Sequence, residues 1–357
     1  MRVLLLGNYS GLGIALKEGL IRNGVDVTLI TNGDGWKKMP GADDILFPVG
    51  ATSIIKKIQN YIIYPSTCKK FRGYDIVQAP GTNIFYWGAG TAPFENVIKN
   101  NGKFFINAAG VDYYLYQSWK KKRLKYQYYM YDNNPELCSE SNGNSLASVL
   151  MNYRCKRVMK KADGIIPVIP YEYEISYSSF PNLKPVIPLP INTDQILYRE
   201  QSNHGKLVLF HGINRIKDKG SEYIRDAMSK LQNNYPNDVE CIIADRMPYA
   251  EYVECLNRAN VVIDQCKSYG YGINACMSMA MGKIVMSGAE DEVNKYFNFE
   301  CPIINIRPDV DYIYDRLISL LDDKKNITEI GIMSRRFVEK YHNYIKIAKQ
   351  YLDIWCD

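Results

Sequence analysis

The stretch Leu207–Leu231 reads LVLFHGINRIKDKGSEYIRDAMSKL and combines three structural signals in a short space. Its first residues are apolar, which is typical of a buried strand. A His-Gly turn comes next, and Arg215, Lys217 and Lys219 then lead into a segment with helical periodicity. This order predicts one strand-turn-helix unit of a parallel sheet, with cations close to the start of the helix.

The same alternation runs through both halves of the chain and predicts parallel sheets covered by helices on both faces. With 357 residues the chain is long enough for two α/β domains. We therefore predict the α/β fold class, with two Rossmann-like, doubly wound domains facing a cleft. The predicted strands are Arg2–Leu6, Val25–Thr31, Asp75–Ala79, Lys103–Ala108 and Gly164–Ile169, then Leu207–Phe210, Val239–Ala244, Val261–Asp264, Ile284–Ser287 and Pro302–Ile306.

The predicted domain boundaries follow from a change in composition. The segment Pro185–Lys206 is rich in Pro, Asn and charge, which is typical of a connection between domains. We assign residues 1–190 to the first domain, 191–206 to the linker and 207–340 to the second domain. The sequence from Asn326 to Trp355 has helical periodicity. A helix of that length can reach back, so we expect residues 341–357 to pack on the first domain.

The composition excludes several classes of protein. Hydrophobic residues make up 46% of the chain and charged residues 23%, as in globular proteins. No apolar run reaches the length of about 18 residues that a membrane-spanning helix needs. The nine cysteines are scattered without a C-x-x-C pair, which argues against a disulfide framework and a zinc site. We expect a cytoplasmic protein with reduced thiols.

The glycine loop Gly7–Gly13 has the spacing of short-chain dehydrogenases, and it resembles their phosphate-binding turn after the first strand. The segment Asn107–Gly110 resembles that family's N-A-G motif, and Tyr116 with Lys120 has the spacing of its catalytic pair. However, no serine precedes Tyr116 closely enough to hold a substrate carbonyl, and no acidic residue ends the second strand. An NAD(P)-dependent oxidoreductase of this type therefore stays as a remote alternative.

Residues 207–283 resemble the C-terminal half of GT-B glycosyltransferases, especially the retaining family-four type. The resemblance implies a nucleotide-sugar donor, whose diphosphate would be neutralised by Arg215 and Lys219 as the catalytic cations. It also implies donor contacts at the strand end, from His211 and Gly212, although His211 fits a structural role equally well. A solvated charged turn is the alternative explanation of the cations.

The segment Ala259–Lys283, ANVVIDQCKSYGYGINACMSMAMGK, carries the second part of the resemblance. Enzymes of this type end a strand, make a glycine turn and begin a helix with an E-A-M-A-x-G-K motif. The D-Q pair followed by an aromatic-Tyr-Gly turn matches a bacterial polysaccharide-assembly subset. The turn would direct helix N–H groups toward the donor. The resemblance implies donor contacts from Asp264, Tyr271, Gly272, Ile273, Asn274 and Met277.

Two positions depart from the family pattern. The family places one glutamate before the glycine turn and another on the following helix, where this chain has Tyr269 and Met277. A methionine is a poor acceptor for a hydroxyl group. Either a neighbour such as Asn274 takes over, or the donor is held differently, or activity has been lost. The last possibility is a catalytically impaired, glycosyltransferase-like binding protein.

The first domain lacks the histidine of the family's His-Gly-x-Asp motif, because the matching run is Ala109–Asp112. Retaining transfer can dispense with a base, since the departing diphosphate can take the acceptor proton. Asp112 is the remaining carboxylate there, either as a catalytic group or as a helix N-cap. We expect an acceptor-side loop near the leaving group, formed by Gly11, Leu12, Gly13 and Gly110.

Basic and aromatic residues alternate in the stretch Tyr113–Asp132, YYLYQSWKKKRLKYQYYMYD. Such a surface suits an anionic membrane and a lipid-diphosphate acceptor, and it equally suits a solvated helix face. A nucleic-acid partner is not expected, because no nucleic-acid-binding module surrounds it. The cations are Lys120, Lys121, Lys122, Arg123 and Lys125.

The combined prediction is a metal-independent glycosyltransferase that uses a nucleotide-sugar as substrate and no cofactor. It would transfer the sugar with retention to a glycan or lipid-linked acceptor in polysaccharide or glycoconjugate synthesis. No DxD-like carboxylate cluster lies near the predicted phosphate site. We expect the protein in the cytoplasm, with peripheral contact to the inner membrane face.

Overall fold

The computed structural model describes residues 1–31, 45–46, 55, 58, 66–82, 91–126, 146–201, 204–213, 219–245, 249–297 and 301–357. These residues form two compact units. The first takes its described residues from Met1–Arg123, Met130–Pro190 and Tyr344–Asp357, and the second from Leu124–Tyr129 and Ile191–Asn343.

The first unit is built on a parallel sheet in the order β3-β2-β1-β4-β5-β6. Each strand predicted in the first half of the sequence is confirmed, and β3 is an addition. The strand order reverses between β1 and β4, which makes their carboxyl ends a topological switch point. The strands are β1 (Arg2–Leu6), β2 (Asp26–Thr31), β3 (Ile45–Leu46), β4 (Ile76–Ala79), β5 (Lys103–Ala108) and β6 (Gly164–Pro167).

The second unit is built on a parallel sheet in the order β11-β10-β9-β7-β8. All five strands predicted in the second half are confirmed, with ends that differ by a few residues. The order reverses between β7 and β9, so this sheet also has a switch point. The strands are β7 (Leu207–Ile213), β8 (Val239–Asp245), β9 (Val261–Ile263), β10 (Ile284–Ser287) and β11 (Ile304–Asn305).

Helices connect successive strands and cover the sheets. Those of the first half are α1 (Leu12–Arg22), α2 (Ala92–Lys99), α3 (Tyr113–Lys120), α4 (Leu146–Met159) and α5 (Glu172–Tyr177). Those of the second half are α6 (Ser221–Asn234), α7 (Tyr249–Arg258), α8 (Ile273–Ala280), α9 (Asp291–Asn294), α10 (Val310–Asp322), α11 (Ile327–Tyr341) and α12 (Tyr344–Cys356). None of the described helices is both long enough and apolar enough to cross a membrane.

The C-terminal helix α12 belongs to the core of the first unit. Gly19 of α1 allows a close approach, because a Cβ there would lie 2.2 Å from the carbonyl oxygen of Tyr344. The indole Nε1 of Trp355 donates to Gln78 Oε1 at 3.2 Å, and the hydroxyl of Tyr351 donates to Asn107 Oδ1 at 3.0 Å. Helix α12 therefore satisfies polar groups of β4 and β5 as well as burying apolar surface.

The terminal helical stretch is interrupted, which corrects the expectation of one long helix from Asn326 to Trp355. Helix α11 ends at Tyr341 and α12 begins at Tyr344. Between them, Asn343 forms a parallel bridge with Ile191, and the Ile191 amide donates to the His342 carbonyl at 2.7 Å. Main-chain groups that pair with another strand cannot continue a helix, and periodicity alone does not reveal this.

Candidate functional site

The predicted donor-side residues of the second unit gather at the switch point between β7 and β9. These two strands are neighbours, with Phe210 opposite Val262. In open parallel sheets, ligands bind at the carboxyl ends of the two strands between which the strand order reverses. His211 and Gly212 lie near the carboxyl end of β7, and Asp264 directly follows β9.

Lys219 and Asp264 form a buried ion pair at these strand ends. The Lys219 Nζ atom lies 2.7 Å from Asp264 Oδ1, and the side chains are 5% and 2% exposed. The ammonium group also donates to the carbonyl of Gly212 at 3.4 Å, and Asn274 Nδ2 donates to the same carboxylate oxygen at 3.1 Å. Four of the predicted residues are thus linked by hydrogen bonds.

The carboxyl group of Asp264 is held in its charged form. Burial acts to raise its pKa, but the charge of Lys219 and the hydrogen bonds from Lys219 and Asn274 outweigh burial and lower the pKa of Asp264 below its ordinary value. The pair therefore consists of an ammonium and a carboxylate at neutral pH, and their charges cancel.

His211 is a structural link beside this pair. Its side chain is fully buried, Nδ1 lies 2.7 Å from the carbonyl oxygen of Ile263, and Nε2 lies 2.9 Å from the hydroxyl of Ser221. A carbonyl only accepts, so Nδ1 carries the proton and Nε2 accepts from Ser221. Burial, and secondly the charge of Lys219, lower the pKa of His211 from 6.5 to about 4. The neutral ring joins β7, β9 and the start of α6.

In the part of the chain that the structure describes, the start of α8 leaves room next to Asp264. A Cβ built on Gly272 would meet no atom closer than Asp264 Oδ2 at 4.0 Å. The amides of Ile273, Asn274 and Ala275 lie at the helix N-terminus, where no intrahelical acceptor exists. Within the described chain, no other acceptor bonds to these three amides either. This turn can therefore bind an anion through its backbone.

Several residues at or near the predicted donor site bond to other parts of the protein. The hydroxyl of Tyr271 pairs with His342 Nε2 at 3.1 Å inside an aromatic cluster, away from solvent. The hydroxyl of Tyr252 donates to Asn274 Oδ1, which orients that side chain. Met277 is half-buried on α8. The hydroxyl of Tyr269 accepts from the backbone amide of Lys125 at 2.9 Å.

Arg215, which we predicted as the second catalytic cation, lies in residues 214–218, outside the part of the chain that the structure describes. Its role stays a prediction. Within the described ranges, no group of three His, Cys, Asp or Glu side chains is placed to hold a metal ion.

In the glycine loop of the first unit, a side chain of the loop itself bonds to the amides at the start of α1. Asn8 Oδ1 accepts from the amides of Gly13 and Ile14 at 3.0 and 3.4 Å, at the start of α1. Gly13 is required by packing, because a Cβ there would lie 2.6 Å from the carbonyl oxygen of Gly7. Gly11 has a positive φ of 100°, and Leu12 is buried. The amides that a phosphate would need already have an acceptor.

Asp112 occupies the N-cap position of α3. Its Oδ1 atom accepts from the amides of Tyr114 and Leu115 at 2.9 and 3.1 Å, and Oδ2 is bonded by the hydroxyl of Tyr177 and the thiol of Cys155. Burial raises the pKa of Asp112, against the lowering effect of these hydrogen bonds. These contacts are those of a helix cap, and its catalytic role stays a prediction. The neighbouring Gly110 is exposed, with a positive φ of 73°.

The predicted basic surface is divided between the two units. Lys120, Lys121, Lys122 and Arg123 are exposed at the end of α3, and Arg123 also donates to the hydroxyl of Ser178 at 2.9 Å. Lys125 is exposed in the second unit, where its Nζ atom lies 2.9 Å from Glu290. The charge of Lys125 is therefore partly offset.

Sequence reasoning missed several residues that shape these sites. Asn8 and Ser221 carried a usable signal, because both are small polar residues close to a helix start. Tyr252 and Glu290 carried none, since each acts on a residue far away in the chain.

The fold matches solved structures of proteins whose sequences have little in common with this chain. Sucrose-phosphate synthase from Thermosynechococcus elongatus gives a TM-score of 0.66 at 15% identity, covering 99% of this chain and 98% of that one. Anabaena HepE in complex with UDP-glucose gives 0.58 at 12% identity, covering 99% and 98%. A putative UDP-N-acetylglucosamine 2-epimerase from Listeria monocytogenes gives 0.58 at 11% identity, covering 99% and 94%.

These matches confirm the predicted fold class, α/β with two Rossmann-like parallel-sheet domains of the GT-B type. No protein-family profile and no curated protein sequence matches the chain. Because transfer and epimerisation enzymes both occur among the structures, the fold by itself does not select the reaction.

Proposed function

We propose that this chain is a glycosyltransferase that moves a sugar from a nucleotide-sugar donor to a glycan or lipid-linked acceptor. The observation that carries the proposal is the arrangement at the ends of β7 and β9. Lys219 pairs there with Asp264 next to the start of α8, whose first amides have no acceptor among the described residues. A cation and a helix N-terminus are the groups that bind a diphosphate. Sheets of this kind bind ligands at the switch point.

The proposed chemistry is stabilisation of the leaving group. When the bond between the anomeric carbon and the diphosphate breaks, negative charge develops on the diphosphate oxygens. Lys219, Arg215 and the α8 amides would stabilise that charge, and Lys219 would do so from a buried position, where charges interact more strongly than in water. Two protein cations can take the place of a divalent ion, so we expect transfer without added metal.

We propose that the sugar is transferred with retention of configuration. The first half of the sequence contains no histidine, and His211 is neutral with both ring nitrogens bonded. A departing diphosphate can instead accept the proton of the acceptor hydroxyl on the face that it leaves. That route places the acceptor on the same face as the leaving group and preserves the anomeric configuration.

The exposed cations Lys120–Arg123 support a finer proposal about the acceptor. A cluster of this kind contributes about 1 kcal/mol per charge near an anionic bilayer. We propose peripheral contact with the inner membrane face and a lipid-linked acceptor, within polysaccharide or glycoconjugate synthesis.

The test of transfer uses the full chain with a panel of nucleotide-sugars and acceptor glycans, followed by NMR of the product. We expect donor consumption and a product whose anomeric configuration equals that of the donor. Lys219→Met should lower donor consumption by about 100-fold or more, which is the usual cost of losing one charge-stabilising donor. Arg215→Ala should have a similar effect. Lys230→Met, which changes an exposed lysine of the same unit, should have none.

Each alternative has its own outcome in that test. Binding without turnover, with any acceptor, would support the catalytically impaired binding protein suggested by Tyr269 and Met277. An epimerised nucleotide-sugar in the absence of acceptor would identify an epimerase. Tight binding of NADH would support the oxidoreductase. Its phosphates would then have to displace Asn8, which already accepts a hydrogen bond from the Gly13 amide at the start of α1.

The membrane proposal is tested by sedimentation with vesicles of phosphatidylglycerol or phosphatidylcholine. We expect binding to the anionic vesicles alone, and its loss when Lys120, Lys121, Lys122 and Arg123 are all changed to Gln. The matched control changes four exposed cations of the second unit, Lys206, Lys230, Arg316 and Lys325, to Gln. Equal effects of the two sets would contradict a specific membrane surface.

A further inference from the structure

Asp264 places a negative charge beside the groups that would bind a negatively charged ligand. Its Oδ1 atom lies 2.7 Å from the ammonium nitrogen of Lys219. Its Oδ2 atom lies 4.0 Å from the position that a Cβ of Gly272 would take, at the start of α8. A phosphate that contacts both Lys219 and the α8 amides must therefore come close to this carboxylate.

Little water reaches the pair to weaken its electrostatic interactions. The side chains of Lys219 and Asp264 are 5% and 2% exposed. Solvent and salt screen buried charges much less than exposed ones. The carboxylate consequently cancels most of the positive charge that Lys219 would offer to an anion, and it repels an anion directly.

The hydrogen-bond geometry around Asp264 does not by itself require a negative charge. Lys219 and Asn274 both donate to Oδ1. The side-chain oxygen of an asparagine could accept the same two bonds. What an aspartate adds is the charge, which compensates Lys219 as long as no ligand is bound.

We propose that Asp264 is an internal counter-anion, which neutralises Lys219 in the ligand-free protein and competes with a bound diphosphate for that cation. This inference rests on the proposed function, because it concerns the same site. It names a residue that limits the affinity for the diphosphate. The free nucleoside diphosphate carries about one charge more than the sugar-linked form, since its terminal phosphate ionises with a pKa of about 6. Asp264 therefore weakens binding of the product more than binding of the donor.

The experiment is a double-mutant cycle with inorganic pyrophosphate, which tests the anion site without assuming a nucleobase. The full-length wild type, D264N, K219M and the double variant are titrated by calorimetry at pH 7.5. We expect D264N to bind pyrophosphate about tenfold more tightly than wild type, because one negative charge close to the ligand is removed. K219M should bind more weakly. In the K219M background, D264N should have little effect, because without Lys219 burial favours the neutral form of the Asp264 carboxyl and little charge remains to be removed.

The inference would be wrong if D264N lowered the affinity for pyrophosphate. If Asp264 only positions Lys219, D264N weakens pyrophosphate binding relative to the wild type. Near-UV circular dichroism checks the fold of each variant. If D264N alone does not fold, the double variant decides, because it leaves no buried charge unpaired. It should bind pyrophosphate about as tightly as the wild type if Asp264 offsets Lys219, and more weakly if Asp264 only positions Lys219.

A matched control and a separate readout keep this inference distinct from the proposed function. Asp311→Asn removes the same charge from an exposed pair with Lys230 in the same unit, and it should leave the affinity unchanged. Binding by the wild type with the wrong response to D264N overturns only the counter-anion. Absence of pyrophosphate binding in all four proteins overturns the anion site and the counter-anion together.

Discussion

The glycine turn before α1 and the glycine turn before α8 look alike in sequence but differ in what the helix amides contact. Both follow a strand at a switch point, and both open a helix. In the first unit, Asn8 accepts from the amides of Gly13 and Ile14. In the second, the amides of the first α8 turn have no acceptor among the described residues.

The difference shows that glycine spacing reports on the backbone and does not identify a ligand. Gly13 allows α1 to pack closely on the loop after β1, where any side chain would collide with the carbonyl of Gly7. Gly272 makes no such contact, and its missing side chain leaves space beside Asp264. The first glycine serves packing, and the second leaves an approach to the helix N-terminus.

The largest effect is expected for Gly13→Ala. The new methyl group would lie 2.6 Å from a backbone carbonyl oxygen, which cannot move without shifting the strand end. We expect a loss of about 3 kcal/mol in the free energy of unfolding, the upper part of the range for overpacking. Urea unfolding measures it. A variant as stable as the wild type would remove the packing explanation of this turn.

The two sites should also differ in their response to acid, because His211 of β7 lies beside the Lys219–Asp264 pair. The pKa of His211 falls from 6.5 to about 4 in the folded protein. Between these values the unfolded state binds more protons, so stability is lost as the pH falls from about 6.5 toward 4. The loop Gly7–Gly13 contains no group that titrates in this range.

At pH 5 the cost of the shift in His211 is about 2 kcal/mol relative to pH 7.5. Urea unfolding of the wild type and of His211→Asn at both pH values isolates this contribution. We expect the variant to lose less stability on acidification than the wild type. An equal loss in both proteins would assign the acid sensitivity to other groups.

Gly272→Ala should separate binding from stability. Its φ of −103° is accessible to alanine, and the nearest described atom to the added Cβ would be Asp264 Oδ2 at 4.0 Å, an ordinary contact. We expect unfolding within about 0.5 kcal/mol of the wild type. Pyrophosphate binding, measured by calorimetry, should weaken by about tenfold, because the methyl group enters the space beside the α8 amides. Unchanged binding would place the anion elsewhere.

The smallest effect is expected for Asn8→Ala. Loss of a side-chain cap costs about 1 kcal/mol of stability, so the urea midpoint should fall moderately. Pyrophosphate binding should not change, because the proposed site lies at α8. Stronger pyrophosphate binding in this variant would mean that the α1 amides are a second anion site, which Asn8 blocks.

Most of the strands could be predicted because a buried parallel strand is a local feature. Runs such as Arg2–Leu6 and Ile284–Ser287 are apolar on both faces, and helices separate them. The end of the chain shows where local reasoning fails. The periodicity continues from α11 into α12, but a bridge to Ile191, far away in the sequence, interrupts the helix.

The candidate site could be predicted in part. The resemblance of residues 207–283 pointed to Lys219, Asp264 and Asn274, and the structure joins them by hydrogen bonds. The roles of other residues depended on distant partners. Tyr271 turns toward His342, and His211 is enclosed by Ile263 and Ser221.

The sequence by itself determined the alternation of strands and helices, the two-domain organisation and the presence of cations near a helix start, because each depends on neighbouring residues or on composition. Only the tertiary structure decided which amides are free, which charges are paired and which rings are buried. Those properties arise when residues far apart in the sequence meet in space, as Lys219 and Asp264 do, 45 positions apart, at the carboxyl ends of neighbouring strands. The surroundings of each residue then set its charge and its access to a ligand.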